Sequence, residues 1–209
     1  MADLLISAVP GTRSTLCGRT GSGKSTLAAY MLRKSTQQWL CVDPKRDDKL
    51  ARLPGAARTE SLRAGDIAKL WARGVRYVLL TPPPASSPDD MDSLILALYE
   101  SHTDWGLMVD ELYYLHRNSR AGAGLMAVLT RGRSDKITFL GCTQRPAWIS
   151  QFCLSEADYI AQYRLSLADD RKRVYQITGD AAVLSNPPGQ HEFYWYEAKK
   201  NLLTIVKPA

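Results

Sequence analysis

A chain of 209 residues with 45% hydrophobic content is long enough to bury a full core as one compact domain. Its formal charge of +6 leaves Asp and Glu plentiful (21 against 27 Lys and Arg), which excludes a basic tail on a neutral body. The excess suits an anionic partner such as nucleic acid, although charge for solubility would look the same. Cys17, Cys41, Cys142 and Cys153 have no C-x-x-C spacing, so buried free thiols in a reducing compartment are expected rather than a zinc site or disulfide framework.

Leu4 to Val9 is an apolar run stopped by Pro10-Gly11 and predicts a short strand. Ser14 to Cys17 predicts a second strand, which leads into Gly18-Arg19-Thr20-Gly21-Ser22-Gly23-Lys24-Ser25-Thr26. This is G-x-x-x-x-G-K-[ST], a P-loop, in the strand–loop–helix setting that supports it. Glycines let the backbone turn tightly and approach a polyphosphate, and the freed N–H groups and helix N-terminus face the anion. Lys24 supplies charge to the β- and γ-phosphates, and the Ser25 hydroxyl suits Mg²⁺. The helix runs from Ser25 to Lys34, with Leu27, Ala28, Met31 and Leu32 facing inward.

Trp39 to Val42 predicts a buried strand ending in Asp43-Pro44-Lys45. Two readings of Asp43 stand: part of the nucleotide site, or the start of a turn. A short helix is expected over Asp47–Leu53, and Ala57–Ala64 is ambiguous. Asp66 is expected to cap a helix ending at Gly74, Val75–Thr81 is a strand, and Asp90 is expected to cap a helix over Met91–Tyr99. Trp105-Gly106-Leu107-Met108-Val109 is a strand ending in Asp110-Glu111. Opposite a P-loop, the first acid would hold Mg²⁺ and the second would take a proton from the attacking water.

A helix over Ala121–Thr130 precedes Arg131-Gly132-Arg133. These arginines either complement the helix dipole or reach a neighbouring subunit's nucleotide. Lys136 to Cys142 is a further strand running into Thr143-Gln144-Arg145-Pro146. Gln144 both donates and accepts and suits water positioning, or the stretch only caps the strand. A loop with a short helix over Trp148–Ser155, a strand over Asp158–Leu167, a helix over Asp169–Ile177 and a hairpin over His191–Lys207 complete the chain. Alternating strands and helices imply an α/β fold with a mostly parallel sheet flanked by helices. The C-terminal β-hairpin adds antiparallel strands at one edge.

GRTGSGKST, VDPK, LMVDEL and RGRSDKITFLGCTQRP, in that order and spacing, resemble the FtsK–HerA superfamily of P-loop ATPases. A core this short is most similar to the genome-packaging ATPases of tail-less double-stranded DNA viruses with an internal membrane. The resemblance implies a RecA-like fold with an additional catalytic glutamate, in a single ATPase domain with its core at about residues 13–167 and a C-terminal helix and hairpin at 168–209. It implies ATP and Mg²⁺ as cofactors, with Lys24, Ser25, Asp110 and Glu111 in the two Walker motifs and Gln144 as sensor. Arg133 would be the finger acting on a neighbour's nucleotide, with Arg131 as second choice.

The resemblance further implies a homo-oligomeric ring, hexameric or pentameric, that moves double-stranded DNA. It would work with proteins at the capsid vertex or the viral membrane, in the host cytoplasm or at the virion's packaging vertex. No segment is long enough to span a bilayer and no secretory leader stands at the N-terminus, so a soluble protein is expected. Candidate DNA contacts are Arg117 and Arg120, Lys45 and Arg46 with Lys49, or Arg171-Lys172-Arg173; a solvated face explains each cluster equally well. The competing functions are a cellular or conjugative HerA-like translocase core, a P-loop small-molecule kinase, and a nucleotide-regulated assembly protein with little turnover.

Overall fold

The computed structural model describes residues 8–207. Most of the predicted Leu4–Val9 strand lies outside them. In chain order the elements are β1 (Arg13–Cys17), α1 (Lys24–Lys34), β2 (Gln38–Val42), α2 (Asp48–Ala51), β3 (Ala56–Thr59), α3 (Ala64–Ala72), β4 (Tyr77–Leu80), α4 (Pro88–Ser101) and β5 (Trp105–Val109). A small ribbon of β6 (His116–Arg117) and β7 (Arg120–Ala121) follows, then α5 (Ala123–Thr130), β8 (Thr138–Thr143), α6 (Phe152–Ser155), β9 (Tyr159–Gln162), α7 (Ala168–Thr178), β10 (Phe193–Glu197) and β11 (Leu202–Val206).

Nine strands form one sheet in the order β11-β10-β9-β1-β8-β5-β2-β4-β3. Pairing is parallel from β9 through β3, and the C-terminal hairpin is antiparallel. Side chains alternate between faces, so the buried strands feed two separate cores. Leu40, Val42, Val78, Leu80, Leu107, Val109 and Phe139 pack with α3, α4 and α5 on one face. Trp39, Cys41, Tyr77, Leu79, Met108, Leu140 and Cys142 pack with α1 and α2 on the other. A third cluster joins Cys17, Ile160, Val174, Tyr194 and Tyr196, tying α6, α7 and the hairpin to the sheet. All four cysteines are free and buried. No helix among the described residues is long and apolar enough to cross a membrane.

Two expected helix caps differ. Helix α4 begins at Pro88, and Ser87 is its cap, accepting from the Asp90 amide while Asp90 accepts from the Ser87 amide. Proline favours the first helical position, so the cap must precede Pro88 and Asp90 serves as the reciprocal partner. Helix α3 begins at Ala64, and Asp66 lies within its first turn, accepting from Ser61 Oγ and Lys69. The ambiguous run after Gly55 supplies β3, a half-exposed edge strand.

Gly106 of β5 lies opposite Trp39 of β2 and leaves room for its buried ring. A Cβ at Gly106 would overlap that ring. Gly106→Ala should therefore lower stability by about 1–3 kcal/mol through overpacking. Thermal unfolding would show a midpoint several degrees lower; an unchanged midpoint would mean that the ring has room to shift.

Candidate functional site

The P-loop lies at the carboxyl end of β1, held on both sides. The Gly18 amide donates to Thr143 O of β8 (3.0 Å), and the Arg19 amide donates to Arg164 O just beyond β9 (2.9 Å). Gly18 has no space for a Cβ, which would press on Tyr163 Cβ and Ser22 Oγ. Gly23 precedes α1 at φ 110°, a conformation that favours glycine, and provides no side-chain cap. The first amides of α1 therefore remain available to an anion. Ser22 Oγ is buried without a hydrogen-bond partner.

Lys24 is 8% exposed, and its Nζ donates to Gly18 O (2.6 Å) and Arg19 O (3.0 Å). Burial lowers its pKa against the opposing pull of Glu111 and Asp110. The sheet order sets its neighbours, because β8 lies between β1 and β5 and all three strands end on the same side. That brings Asp110, Glu111 and Gln144 to the P-loop. Ser25 Oγ donates to Asp110 Oδ1 (3.3 Å) and Thr20 Oγ1 donates to Gln144 Oε1 (2.8 Å). Glu111 Oε2 accepts from both Gln144 Nε2 (3.0 Å) and Lys45 Nζ (2.9 Å).

Two cavities adjoin across Gly21 and Ser22. One, about 160 Å³, is lined by Thr20–Ser25, Lys45, Asp47, Lys49, Asp110 and Gln144. Its glycines, lysines and hydroxyls suit a polyphosphate. The other, about 220 Å³, is walled by Arg19, Tyr163, Arg164 and the segment Gly189–Glu192. There His191 Nδ1 lies 3.1 Å from the Ser22 carbonyl, at a positive φ of 62°. The sequence carried no local sign of this second wall, since Arg164 and His191 meet the P-loop only through folding.

Asp110 is 5% exposed, and burial raises its pKa, with Lys45 opposing and Asp47, Asp43 and Glu111 adding to the rise. An oxygen-only pair of Ser25 Oγ and Asp110 fits Mg²⁺, which takes one or two protein oxygens and completes its shell with phosphate and water.

Other predicted residues sit apart. Arg133 precedes β8 and pairs with Asp158 Oδ1 (2.7 Å), beside Arg13 at the start of β1. That is the amino edge of the sheet, about 16 Å of strand from the chain's own P-loop. Arg131 lies over the Tyr99 ring, 5.5 Å from its centroid. Arg145 pairs with the buried Asp170 (2.9 Å), anchoring α7 to the turn after β8 that carries Gln144. Thr26 Oγ1 accepts from Lys49 (2.8 Å), Arg46 pairs with Glu60 (3.0 Å), and Arg117 pairs with Asp89 (3.1 Å). Arg120 has no ion-pair partner among the described residues. Arg171 donates to the Leu184 and Leu165 carbonyls. Asp43 takes the turn reading: fully buried, it accepts from the Asp47 amide and Arg58.

DNA packaging ATPase P9 of Enterobacteria phage PRD1 is 30% identical to this chain over 209 residues, covering 94% of this chain and 86% of the phage protein. The chain belongs to the viral DNA-packaging ATPases. No family model matches the chain. Among solved structures, the genome packaging NTPase B204 of Sulfolobus turreted icosahedral virus 2, in complex with ATP-gammaS, superposes with a TM-score of 0.75 at 19% identity, covering 96% of this chain and 98% of that one. VirB4 of Thermoanaerobacter pseudethanolicus gives 0.67 at 10% identity over 93% and 88%. These likenesses show that the packaging ATPase shares the fold of P-loop NTPases.

A carboxylate whose pKa is raised in the folded state costs stability above the ordinary carboxylate range, and that cost grows as pH rises through the raised value. Asp110→Asn should therefore melt higher than the unsubstituted packaging ATPase at pH 7 without nucleotide. It should also gain less from added Mg²⁺ and ADP. Melting curves with and without ligand check both; a lower midpoint for the ligand-free variant would contradict the assignment of strain to Asp110.

Proposed function

We propose that this chain is the motor of genome packaging, a homo-oligomeric ring that hydrolyses ATP and moves double-stranded DNA into a preformed capsid. The observation that carries the reading is the convergence of Ser25, Asp110, Glu111 and Gln144 on the P-loop in a chain 30% identical to a packaging ATPase. Mg²⁺, held by Ser25 and Asp110, would neutralise charge on the β- and γ-phosphates. Lys24 leaves the loop carbonyls for the phosphates, and the α1 amides bind their oxygens. Gln144 orients a water, and Glu111 takes its proton as the water oxygen bonds to the γ-phosphorus. The bond from that phosphorus to the bridging oxygen breaks, and ADP departs with that oxygen's charge.

Arg133 is too far from its own P-loop to serve it, which supports its action on a neighbour. Asp158 would be its resting counter-ion. A ring in which each site borrows a charge from the next couples hydrolysis to relative motion of subunits. The grip on DNA needs phosphate contacts without base reading. The β6–β7 ribbon suits that role, with Asn118 and Ser119 at positive φ making a tight turn between exposed Arg117 and Arg120.

Lys24→Ala should lose nucleotide binding, while Glu111→Gln should bind ATP and turn over at least ~10²-fold slower. Arg133→Ala should also lose roughly 10³-fold in rate. Mixing Arg133→Ala with Glu111→Gln subunits should restore activity, because one supplies the glutamate and the other the arginine. Rates in mixtures no higher than in either variant alone would remove Arg133 from the neighbour's site.

A further inference from the structure

We propose that Lys45 is a second phosphate-binding lysine, which alternates between the Glu111 carboxylate and the terminal phosphate of ATP and thereby frees Glu111 for the attacking water. The inference rests on the ATPase reading of this site. Lys45 follows β2 in the Asp43-Pro44-Lys45 turn, which is rigid: Asp43 is buried and bonded to Arg58 (2.9 Å) and to the Asp47 amide (2.9 Å). The side chain beyond that anchor is half exposed and lines the cavity bounded by the P-loop, Asp110 and Gln144. A lysine stem of four carbons on a fixed backbone swings readily without moving the turn.

Three lysines border this cavity, but their present partners differ. Lys24 is held by loop carbonyls and Lys49 by the Thr26 hydroxyl. Lys45 alone touches the base, 2.9 Å from Glu111 Oε2, an oxygen that also takes the Gln144 amide at 3.0 Å. With two donors on it, that oxygen and the sensor amide are both committed. Burial disfavours the Lys45 ammonium, but the hydrogen bond and charge of Glu111 more than offset this, so the lysine stays charged. A terminal phosphate with about two negative charges attracts that ammonium more strongly than a single carboxylate at similar distance. ADP, which lacks that phosphate, leaves Lys45 on Glu111.

The test compares binding of ADP and of a non-hydrolysable ATP analogue, both with Mg²⁺, to the unsubstituted chain, Lys45→Met and Lys45→Arg. Lys45→Met should weaken the analogue roughly tenfold or more, the size of one charge-assisted hydrogen bond, and leave ADP within about twofold. Lys45→Arg should recover most of the difference. Equal changes for both ligands, or none, would overturn the proposal. Lys24→Ala is the control for the site itself. If it binds both ligands as the unsubstituted chain does, the P-loop assignment fails, and the role of Lys45 fails with it.

Discussion

The insertion of β8 between β1 and β5 is the constraint on which the site depends. Cys17 pairs with Thr143 and Val109 with Gly141, so all three strands release their polar ends at nearly one level. Those pairings set Gln144 between Thr20 and Glu111, and Asp110 within reach of Ser25. The register is held by the two faces of the sheet. A slip of one residue would send Phe139 and Leu140 each to the wrong core. Both faces are apolar cores, so the cost of a slip is misfit rather than exposure, about 1–3 kcal/mol for each large side chain forced into the wrong packing. Packing remote from the nucleotide thus fixes the geometry of the site.

Within that rigid frame the site itself is costly. Asp110 is buried with its pKa raised, Lys24 is buried with its pKa lowered, and Ser22 Oγ has no partner. A polyphosphate with its cation would satisfy all three, so binding offsets the cost that folding leaves in place. The C-terminal part contributes beyond stability. Arg145 ties α7 to the turn that carries Gln144, and the segment before β10 brings His191 against the P-loop.

The P-loop and the Asp110-Glu111 strand were legible because their chemistry is local: residue types at fixed spacing on a strand end. Strands β2, β5 and β8 were legible as short apolar runs, while the face each side chain takes came from the fold. Edge strand β3 was not, since an edge strand of Ala-Ala-Arg-Thr, half exposed, carries no hydrophobic signature. The α4 cap was encoded by Ser87-Pro88 but outweighed by the nearby Asp90. Lys45 looked like part of a basic cluster with Arg46 and Lys49, because its partner Glu111 is 66 residues away. Long-range pairing of that kind has no trace in sequence spacing. Arg133 stood out only through the resemblance to known ATPases, and its position at the far edge of the sheet emerged only from the fold.

The central claim is that the pocket around Lys24 is incomplete within a single chain and is completed by a neighbour. The most direct measurement is ATPase rate per subunit as a function of protein concentration, with and without double-stranded DNA. A rate that rises with concentration and rises further with DNA is the expected result. A rate per subunit that is constant across concentration and indifferent to DNA would contradict a ring in which subunits share their active sites.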